Sequence, residues 1–186
     1  MGIAEDSRLA ERVRSGDEGA YPVLVDRFGA AVFPMICRIV GSREDAEELT
    51  QDVFLKVFDN IGHYRGESSL STWIYRIAYN HAISALRKYK KRRGTVGGEI
   101  LEKQAADESP PSDGRDGEAA LAALERSLAR LPVDEAMLIT LFYYDGKGVE
   151  ELSRITGLSL SNVKVKLYRI RKKLYICMQE EGYGNG

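Results

Sequence analysis

The chain has 186 residues, of which 44% are hydrophobic and 30% are charged. A chain of this length forms one ordinary domain or two small ones, and its apolar content is enough to build their cores. No run approaches the roughly 18–20 apolar residues that a membrane span needs, and the acidic start MGIAEDSRLA lacks the apolar segment of a secretory signal. The net charge is only −1, from 27 basic and 28 acidic residues, which taken alone argues against a protein that binds nucleic acid.

The cysteines and histidines give no sign of a metal site or a catalytic centre. Cys37 and Cys177 are far apart and form no CxxC motif, and each lies among apolar neighbours, as a buried thiol in a reducing cytoplasm does. No phosphate-binding loop, dinucleotide fingerprint or nucleophile elbow is present. We therefore expect no metal, no cofactor and no enzymatic activity. A nuclease is the best enzymatic alternative, but no carboxylate cluster has a spacing typical of metal ligands.

The charge is unevenly distributed along the chain. Residues 1–93 carry a net charge of +2, residues 94–117 carry −4, and residues 118–186 carry +1. The middle segment is rich in Gly, Pro, Ser and Asp and has few large apolar residues, so we interpret it as a flexible acidic linker. The sequence therefore predicts two compact domains, one on each side of this linker.

Helical periodicity runs through the first domain, and no alternating strand pattern competes with it. Gly41 is a helix stop, and Ser42 is a good N-cap for the helix that follows. We expect Pro34 to bend or interrupt the second helix, and Ser69 or Ser71 to cap the fourth. The predicted helices cover residues 7–15, 18–40, 43–60 and about 70–89.

The second domain also reads as helical and ends in a helix-turn-helix pattern. It begins near Glu118, and Pro132 opens a new helix after ALAALERSLARL. The short segment VEELSRIT is followed by a turn at Gly157 and then by a longer basic helix. The fold prediction is therefore all-α, with two small helical domains.

Residues 159–174 form the basic helix, with six basic residues and no acidic one. The spacing predicts a buried stripe of Leu160, Val163, Leu167, Ile170 and Leu174. The opposite face carries Ser161, Asn162, Lys164, Val165, Tyr168, Arg169 and Lys172. An apolar side chain within that polar face suits contact with a thymine methyl group in the major groove, and Ser159 as N-cap would aim the helix N-terminus at a phosphate. A solvated basic face, or a helix that binds a membrane surface or calmodulin, is the alternative.

The third predicted helix has an acidic outer face. Ala46, Leu49, Val53 and Val57 make its buried stripe, while Glu44, Glu48, Gln51, Asp52 and Asp59 surround Leu55 on the other side. An acidic surface repels DNA phosphates, so it predicts contact with a basic protein partner. An ordinary solvated helix is the alternative.

The fourth predicted helix combines aromatic and cationic residues on one face. That face holds Trp73, Arg76, Asn80, Ile83, Ser84 and Arg87, and the helix ends in the basic tract RKYKKRR at residues 87–93. Such interleaving suits single-stranded nucleic acid, because bases stack on aromatic rings while cations neutralise phosphates. The preceding loop, Tyr64 to Leu70, has the backbone donors and small hydroxyls to hold one flipped base. Trp73 is alternatively a core residue.

Three segments together resemble one family. DAEELTQDVFLKVF (45–58), YRGESSLSTWIYRIAYNHAISALRKYKKRR (64–93) and LARLPVDEAMLITLFYYDGKGVEELSRITGLSLSNVKVKLYRIRKKL (128–174) are similar to the extracytoplasmic-function (ECF) group of bacterial sigma-70-type RNA polymerase sigma factors. The segment LVDRFGAAVF near residue 24 resembles the opening helix of that group. The resemblance implies sigma region 2 over residues 1–93, the linker over 94–117 and sigma region 4 over 118–186.

The resemblance also implies a partner for each surface. The clamp coiled coil of the largest polymerase subunit would contact Asp45, Glu48, Gln51, Asp52 and Leu55. The −10 element would be opened and read by Tyr64, Gly66, Ser68, Leu70, Trp73, Tyr75, Arg76, Asn80, Ser84, Arg87 and Lys88. The −35 duplex would be read by Ser159, Ser161, Asn162, Lys164, Val165, Lys166, Tyr168, Arg169 and Lys172. The polymerase flap region and an anti-sigma factor, which could hold the chain at the inner membrane face, are the further expected partners of this cytoplasmic chain.

Two departures from the family pattern affect the −35 prediction. Val165 stands where the family commonly has a small polar residue, and GKGVEELSR stands where LSYEEIA-like sequences are common, so the −35 sequence does not transfer from a relative. The alternatives are a dimeric helix-turn-helix regulator and an adaptor or anti-sigma-like protein that only binds polymerase. The acidic third helix and the Tyr64–Arg93 segment argue against the first, and the basic helix argues against the second.

Overall fold

The structure, a computed structural model of the chain, describes residues 3–92 and 115–183. Within these ranges it contains eight α-helices, one 3₁₀ turn and no strand, which confirms the all-α prediction. Their bounds are α1 Ile3–Arg14, α2 Ala20–Val40, α3 Arg43–Asn60, the 3₁₀ turn Ile61–His63, α4 Leu70–Arg92, α5 Arg115–Ala129, α6 Val133–Tyr143, α7 Val149–Thr156 and α8 Leu160–Glu180. The linker predicted over residues 94–117 lies almost wholly outside the described residues.

The predicted helix signals act at the positions that the sequence indicates. Gly41 ends α2 in a left-handed conformation with φ +77°, which costs a residue without a Cβ little. The Ser42 hydroxyl accepts a hydrogen bond from the Asp45 N–H at 3.2 Å and caps α3. Ser69 caps α4 in the same way through the Thr72 N–H at 3.1 Å, and Ser159 caps α8 through the Asn162 N–H at 3.3 Å.

Two local predictions, the start of α1 and the burial of Leu160, were wrong, and a third, at Pro34, was wrong in allowing an interruption of the helix. α1 begins at Ile3, four residues before the predicted start. α2 continues through Pro34 without interruption, because buried residues on both sides of the proline, Val32 and Met35 among them, hold the helix in the core at the expense of one backbone hydrogen bond. Leu160, predicted to lie in the core stripe of α8, is 47% exposed; it is the first residue of α8, and the buried stripe begins at Val163.

The first domain is a bundle in which α2 packs against both α3 and α4, while α1 lies across α2, α4 and the 3₁₀ turn. In the second domain α8 packs against α5, α6 and α7. The buried side chains of the two domains form one continuous hydrophobic cluster, because α7 also packs on α4 and α6 on α2. No helix in the described ranges is long and apolar enough to cross a bilayer.

Candidate nucleic-acid and protein interfaces

The outer face of α3 is acidic with an apolar centre. Ala46, Val53 and Val57 are buried on the inner face, as predicted. On the outer face Leu55 is 59% exposed, and it is surrounded by polar side chains that also face the solvent, namely Glu44, Asp45, Glu48, Gln51 and Asp59, with Asp52 half-buried. An exposed leucine with an acidic border fits a partner helix that has an apolar stripe and basic flanks.

The apolar part of this surface extends further than the sequence pattern indicated. Phe58, on the same face of α3 as Leu55, is 48% exposed. The ring of Tyr21 lies edge-on to Phe58 with the ring centroids 5.3 Å apart, so α2 and α3 meet here. Phe58 lies one helical turn beyond Leu55, a spacing that could have revealed the extension in the sequence.

The loop before α4 is organised around Tyr64. Its ring is buried, and its hydroxyl donates a hydrogen bond to the Ser68 carbonyl at 2.8 Å across the loop. The Trp73 ring lies against it with centroids 5.7 Å apart. Gly66 adopts φ +73°, a left-handed conformation that glycine tolerates best. Burial and the nearby negative charge of Asp6 raise the pKa of Tyr64 above its usual value.

Three of the residues predicted to touch the −10 element are buried: Tyr64 is 5% exposed, Leu70 is 0% and Tyr75 is 4%. Their side chains are packed inside the protein, so they support the loop and the start of α4 from within and do not face a base. This corrects the expectation of direct contact for these three. Trp73 is partly buried against the core. It therefore serves in part as a core residue and leaves part of its surface open, as stacking on a base requires.

Other predicted residues of α4 face the solvent. Arg76, Asn80, Ser84, Arg87 and Lys88 are exposed, and the Ser84 hydroxyl donates to the Asn80 carbonyl at 2.7 Å. Ile83, expected on the same face, is 9% exposed and belongs to the core. The side chains of residues 89–92 and the end of the basic tract lie outside the described part of the chain.

α8 presents the predicted polar face. Val163, Leu167 and Ile170 are buried, and the opposite side is exposed, with Tyr168 at 68% and Val165 at 46%. Ser159, Ser161, Asn162, Lys164, Arg169 and Lys172 are also exposed. The helix therefore projects a strip that mixes cations, small polar groups and one aliphatic side chain, as a major-groove helix does.

The six basic residues of α8 divide into two sets. Three of them are held by partners on α6. Lys166 donates to Asp134 at 2.9 Å and Lys173 to Glu135 at 2.7 Å, and Arg171 donates to the Tyr143 hydroxyl at 2.8 Å. Lys164, Arg169 and Lys172 form no ion pair with the residues that the structure describes. Only this second set has unengaged charges to offer to DNA.

The ion pair of Lys166 also lowers the pKa of its partner, Asp134. Desolvation works to raise the pKa of Asp134, but the hydrogen bond and charge of Lys166 outweigh it and hold that pKa below its usual value. Lys166 was predicted to contact the −35 element. Its ammonium group instead points towards α6, so in this structure it supports the helix from within its own domain.

Comparison with known families and proteins identifies the chain. The family model for sigma-70 region 2 matches residues 24–93, and the model for sigma-70 region 4 matches residues 121–174. The ECF RNA polymerase sigma-E factor of Haemophilus influenzae is 32% identical over 178 residues, which cover 91% of this chain and 93% of that protein. The chain belongs to the ECF sigma factors. The predicted resemblance is thereby confirmed.

Other relatives and solved structures agree with this assignment. The sigma-E factor of Escherichia coli K12 is 30% identical to this ECF sigma factor over 91% of its length and 92% of the relative. The structure of CnrH in complex with the cytosolic domain of CnrY has a TM-score of 0.68 at 21% identity and matches 94% of this chain and 97% of that one. The RpoE structure from Bartonella quintana, solved with the anti-sigma factor NepR, has a TM-score of 0.65 at 20% identity and matches 86% and 96% of the two chains. These two likenesses show the fold.

In this ECF sigma factor, α7 of the second domain covers part of α4. Arg154 donates a hydrogen bond to the Glu67 carbonyl in the Tyr64–Leu70 loop at 3.1 Å, and the Thr72 hydroxyl donates to Glu151 at 3.3 Å. The Lys147 ammonium lies 4.4 Å from the centre of the Tyr75 ring. Burial, with the charge of Asp145 nearby, raises the pKa of Tyr75 to about 12. The sequence carries no sign of this contact, because its partners are some 80 residues apart and belong to different periodic patterns.

A second group of contacts lies beside the first. Arg38 of α2 approaches Asp145 at 3.4 Å and also stacks on Tyr144, with its guanidinium 5.3 Å from the ring centre. Asp145 is mostly buried, and one of its carboxylate oxygens has no hydrogen-bond partner within the described residues. Desolvation raises the pKa of Asp145, and the charges of Arg38 and Lys147 only partly offset this effect.

Proposed function

We propose that this sigma factor divides its three tasks among three helices. α3 in domain 1–93 docks on core RNA polymerase, α4 of the same domain opens and reads the −10 element, and α8 in domain 118–186 reads the −35 duplex. The observation that carries this proposal is the separation of charge. The exposed face of α3 is acidic, whereas α4 and α8 expose cations, so one surface suits a basic protein and the other two suit DNA.

The polymerase contact rests on Leu55 and its acidic border. Asp45, Glu48, Gln51 and Asp52 would pair with basic side chains on the clamp coiled coil, while the exposed leucine supplies an apolar anchor. The charged border steers the encounter and sets its orientation, and buried apolar area supplies much of the affinity. The polymerase flap region is the proposed partner of the second domain.

The −10 contact combines shaping residues with touching residues. Tyr64, Leu70 and Tyr75 hold the loop and the start of α4 from within, and Gly66 and Ser68 form the wall of the loop. Arg76, Asn80, Ser84, Arg87 and Lys88 are exposed along α4 and would contact the separated strand. Trp73 at the junction would stack on a base. Binding of an extruded base offsets an unstacking cost of a few kcal/mol, so opening needs no ATP.

The −35 contact uses the exposed strip of α8. Lys164, Arg169 and Lys172 would neutralise phosphates or contact guanine, Asn162 would contact an adenine edge, and Val165 would contact a thymine methyl group. Ser161 and Tyr168 would make further polar contacts, with Ser159 placing the helix N-terminus near the backbone. Phosphate contacts fix the register of the helix, and the base contacts carry the sequence preference.

An anti-sigma factor is the proposed regulator of these surfaces, since the RpoE structure that shares the fold was solved with one. Such a protein would hold the chain in the cytoplasm or at the inner membrane face and would cover α3 and α4. The chain itself would carry out no catalysis, because core polymerase supplies the chemistry. The acidic linker would enter the RNA path of the polymerase.

The decisive experiment is run-off transcription with purified core polymerase on promoters from the genome that encodes the chain. We expect specific initiation only when the chain is present. Asn80→Ala should slow strand opening by about tenfold with unchanged core affinity, whereas a Glu48→Lys change should weaken core binding first. A chain that binds −35 DNA as a dimer but never binds core would instead be a stand-alone regulator, and the proposal would fail.

A further inference from the structure

Helix α1 approaches the Tyr64–Leu70 loop at both of its ends. At the C-terminal end of the loop, the Leu70 N–H donates a hydrogen bond to one carboxylate oxygen of Asp6 at 2.9 Å. At the N-terminal end of the loop, the Arg14 guanidinium donates to the Tyr64 carbonyl at 3.1 Å. A Cβ added at Gly66, in the middle of the loop, would lie 3.7 Å from the Ser7 hydroxyl. α1 therefore runs alongside the whole loop.

Asp6 is an unusual residue to find in this place. It is only 7% exposed, and acidic side chains are rarely buried unless they are paired. Its second oxygen accepts a hydrogen bond from Arg27 of α2 at 2.7 Å. One carboxylate thus links three helices. Its role is not apparent in the sequence, because an acidic residue on a short amphipathic helix looks like any solvated surface residue.

The contact with Leu70 satisfies a specific backbone group. Leu70 is the first residue of α4, and its N–H has no partner within the helix. Ser69 already accepts from the Thr72 N–H, so Asp6 complements that cap by taking the backbone N–H two positions earlier. A negative charge at a helix N-terminus is also stabilised by the helix dipole. Asp6 thereby fixes the point at which the loop ends and α4 begins.

We propose that Asp6 and Arg14 are positioning residues for the −10 element: together, as the α1 brace, they hold the Tyr64–Leu70 loop in the shape that receives an extruded base. This inference rests on the proposed function of that loop. Neither residue touches DNA. The brace acts through the backbone at Tyr64 and Leu70, where a shift of the loop ends would change the space that the loop is proposed to offer the base.

The brace predicts a loss of base discrimination with core binding left intact. The assay uses holoenzyme and a single-stranded oligonucleotide that carries the −10 element of a promoter at which the holoenzyme initiates. A second oligonucleotide has an abasic site at the base whose removal weakens wild-type binding most. Asp6→Ala should lower the ratio of the two affinities by about tenfold, because a buried charge-assisted contact at the C-terminal end of the loop is lost. Asp6→Glu, which keeps the charge, should restore part of the ratio.

The chain offers a matched control within α1. Arg12 and Arg14 are both exposed arginines with one ion pair each, Arg12 to Asp17 and Arg14 to Glu11, but only Arg14 reaches the loop. Arg14→Ala should lower the discrimination ratio several-fold, and Arg12→Ala should leave it unchanged. The affinity for core polymerase, measured separately, should be the same for Arg14→Ala, Arg12→Ala and the wild type.

Each outcome has a distinct meaning. If Asp6→Ala does not fold, the Arg14→Ala and Arg12→Ala pair decides the question. The brace is refuted when folded Asp6→Ala and Arg14→Ala proteins discriminate as well as the wild type, or when Arg12→Ala lowers the ratio as much as Arg14→Ala does. If the wild-type holoenzyme initiates normally yet ignores every abasic site, the proposed role of the loop fails, and the brace fails with it.

Discussion

The two helices proposed to read DNA begin with the same tripeptide, Ser-Leu-Ser, and end up in opposite surroundings. Ser69 caps α4 and Ser159 caps α8 by the same hydrogen bond. Yet the leucine that follows is fully buried in α4, at Leu70, and 47% exposed in α8, at Leu160. Local sequence thus sets where a helix starts, and tertiary contacts decide what that start faces.

The first backbone N–H of each helix shows the same difference. In α4 the Leu70 N–H is taken by Asp6, whereas the Leu160 N–H of α8 has no acceptor among the residues that the structure describes. The start of α8 is therefore available to a phosphate group. The start of α4 is an internal joint, held by α1 and covered by α7, and the exposed residues of α4 that are proposed to contact DNA, from Arg76 onwards, lie further along the helix.

The largest expected effect tests this contrast directly on the paired leucines. Leu70→Ala should lower the free energy of unfolding by about 2–5 kcal/mol, because it leaves a cavity in the core. Leu160→Ala, the same deletion on a half-exposed side chain, should change it by no more than about 0.5–1 kcal/mol. Urea denaturation followed by circular dichroism measures both. Equal losses would mean that the two helix starts do not differ in packing.

The second prediction separates the two sets of cations on α8. Replacing Lys164, Arg169 and Lys172 together with alanine should weaken binding to −35 duplex DNA by about a hundredfold at low salt. Since each phosphate contact adds about 0.9 to the salt slope, that slope should become shallower by roughly 2–3. Holoenzyme titrated with labelled duplex at several salt concentrations gives both values.

Lys173→Ala is the matched control for that experiment, because it removes a neighbouring cation that is paired with Glu135. We expect a salt slope equal to that of the wild type. If Lys173→Ala makes the salt slope shallower by about 0.9, as the loss of one phosphate contact does, the division into held and unengaged cations has no bearing on DNA binding.

The third prediction concerns the cover on α4. Arg154→Ala combined with Arg38→Ala removes two exposed contacts between the domains, each worth about 0.2–1 kcal/mol, so the population with separated domains should rise a few-fold. Small-angle X-ray scattering should show a larger radius of gyration, and Trp73, the single tryptophan, should become easier to quench with iodide. Arg130→Ala removes an ion pair within the second domain and should change neither measurement.

The smallest effect is a pH dependence at Asp145. Its pKa is raised in the folded chain above the ordinary value of 3.8, so the folded state holds that proton more tightly than the unfolded state does. This stabilising contribution is present at low pH and is lost as the pH rises through the raised pKa. Asp145→Asn lacks the titrating group, so its stability relative to the wild type should increase between about pH 4 and 7, as the wild type loses this contribution. Paired denaturation curves across that range provide the test, and a stability difference that falls with rising pH would contradict a raised pKa at Asp145.

Periodicity and capping residues allowed most of the helices and the outer faces of α3 and α8 to be predicted from the sequence. These features depend on neighbours within one or two turns, such as Ser42 and Asp45 or Val163 and Leu167. The sequence did not indicate that Tyr75 and Ile83 are buried, because an apolar residue beside Arg76 and Ser84 fits a stacking surface as well as a core. It also did not indicate the pairing of Lys166 with Asp134, which depends on how α6 and α8 cross.

Asp6 also bears on where this domain starts as a folding unit. The region 2 family model begins at residue 24, but Leu9, Ala10 and Val13 of α1 are buried in the same core, and the acceptor for the Leu70 N–H is Asp6 itself. A fragment cut at the start of the family match would expose apolar surface and leave that N–H unsatisfied, so it should misfold or aggregate. Fragments for dissecting this protein should therefore retain the first residues, and a purification tag is better placed at the C-terminus, away from the helix that carries this carboxylate.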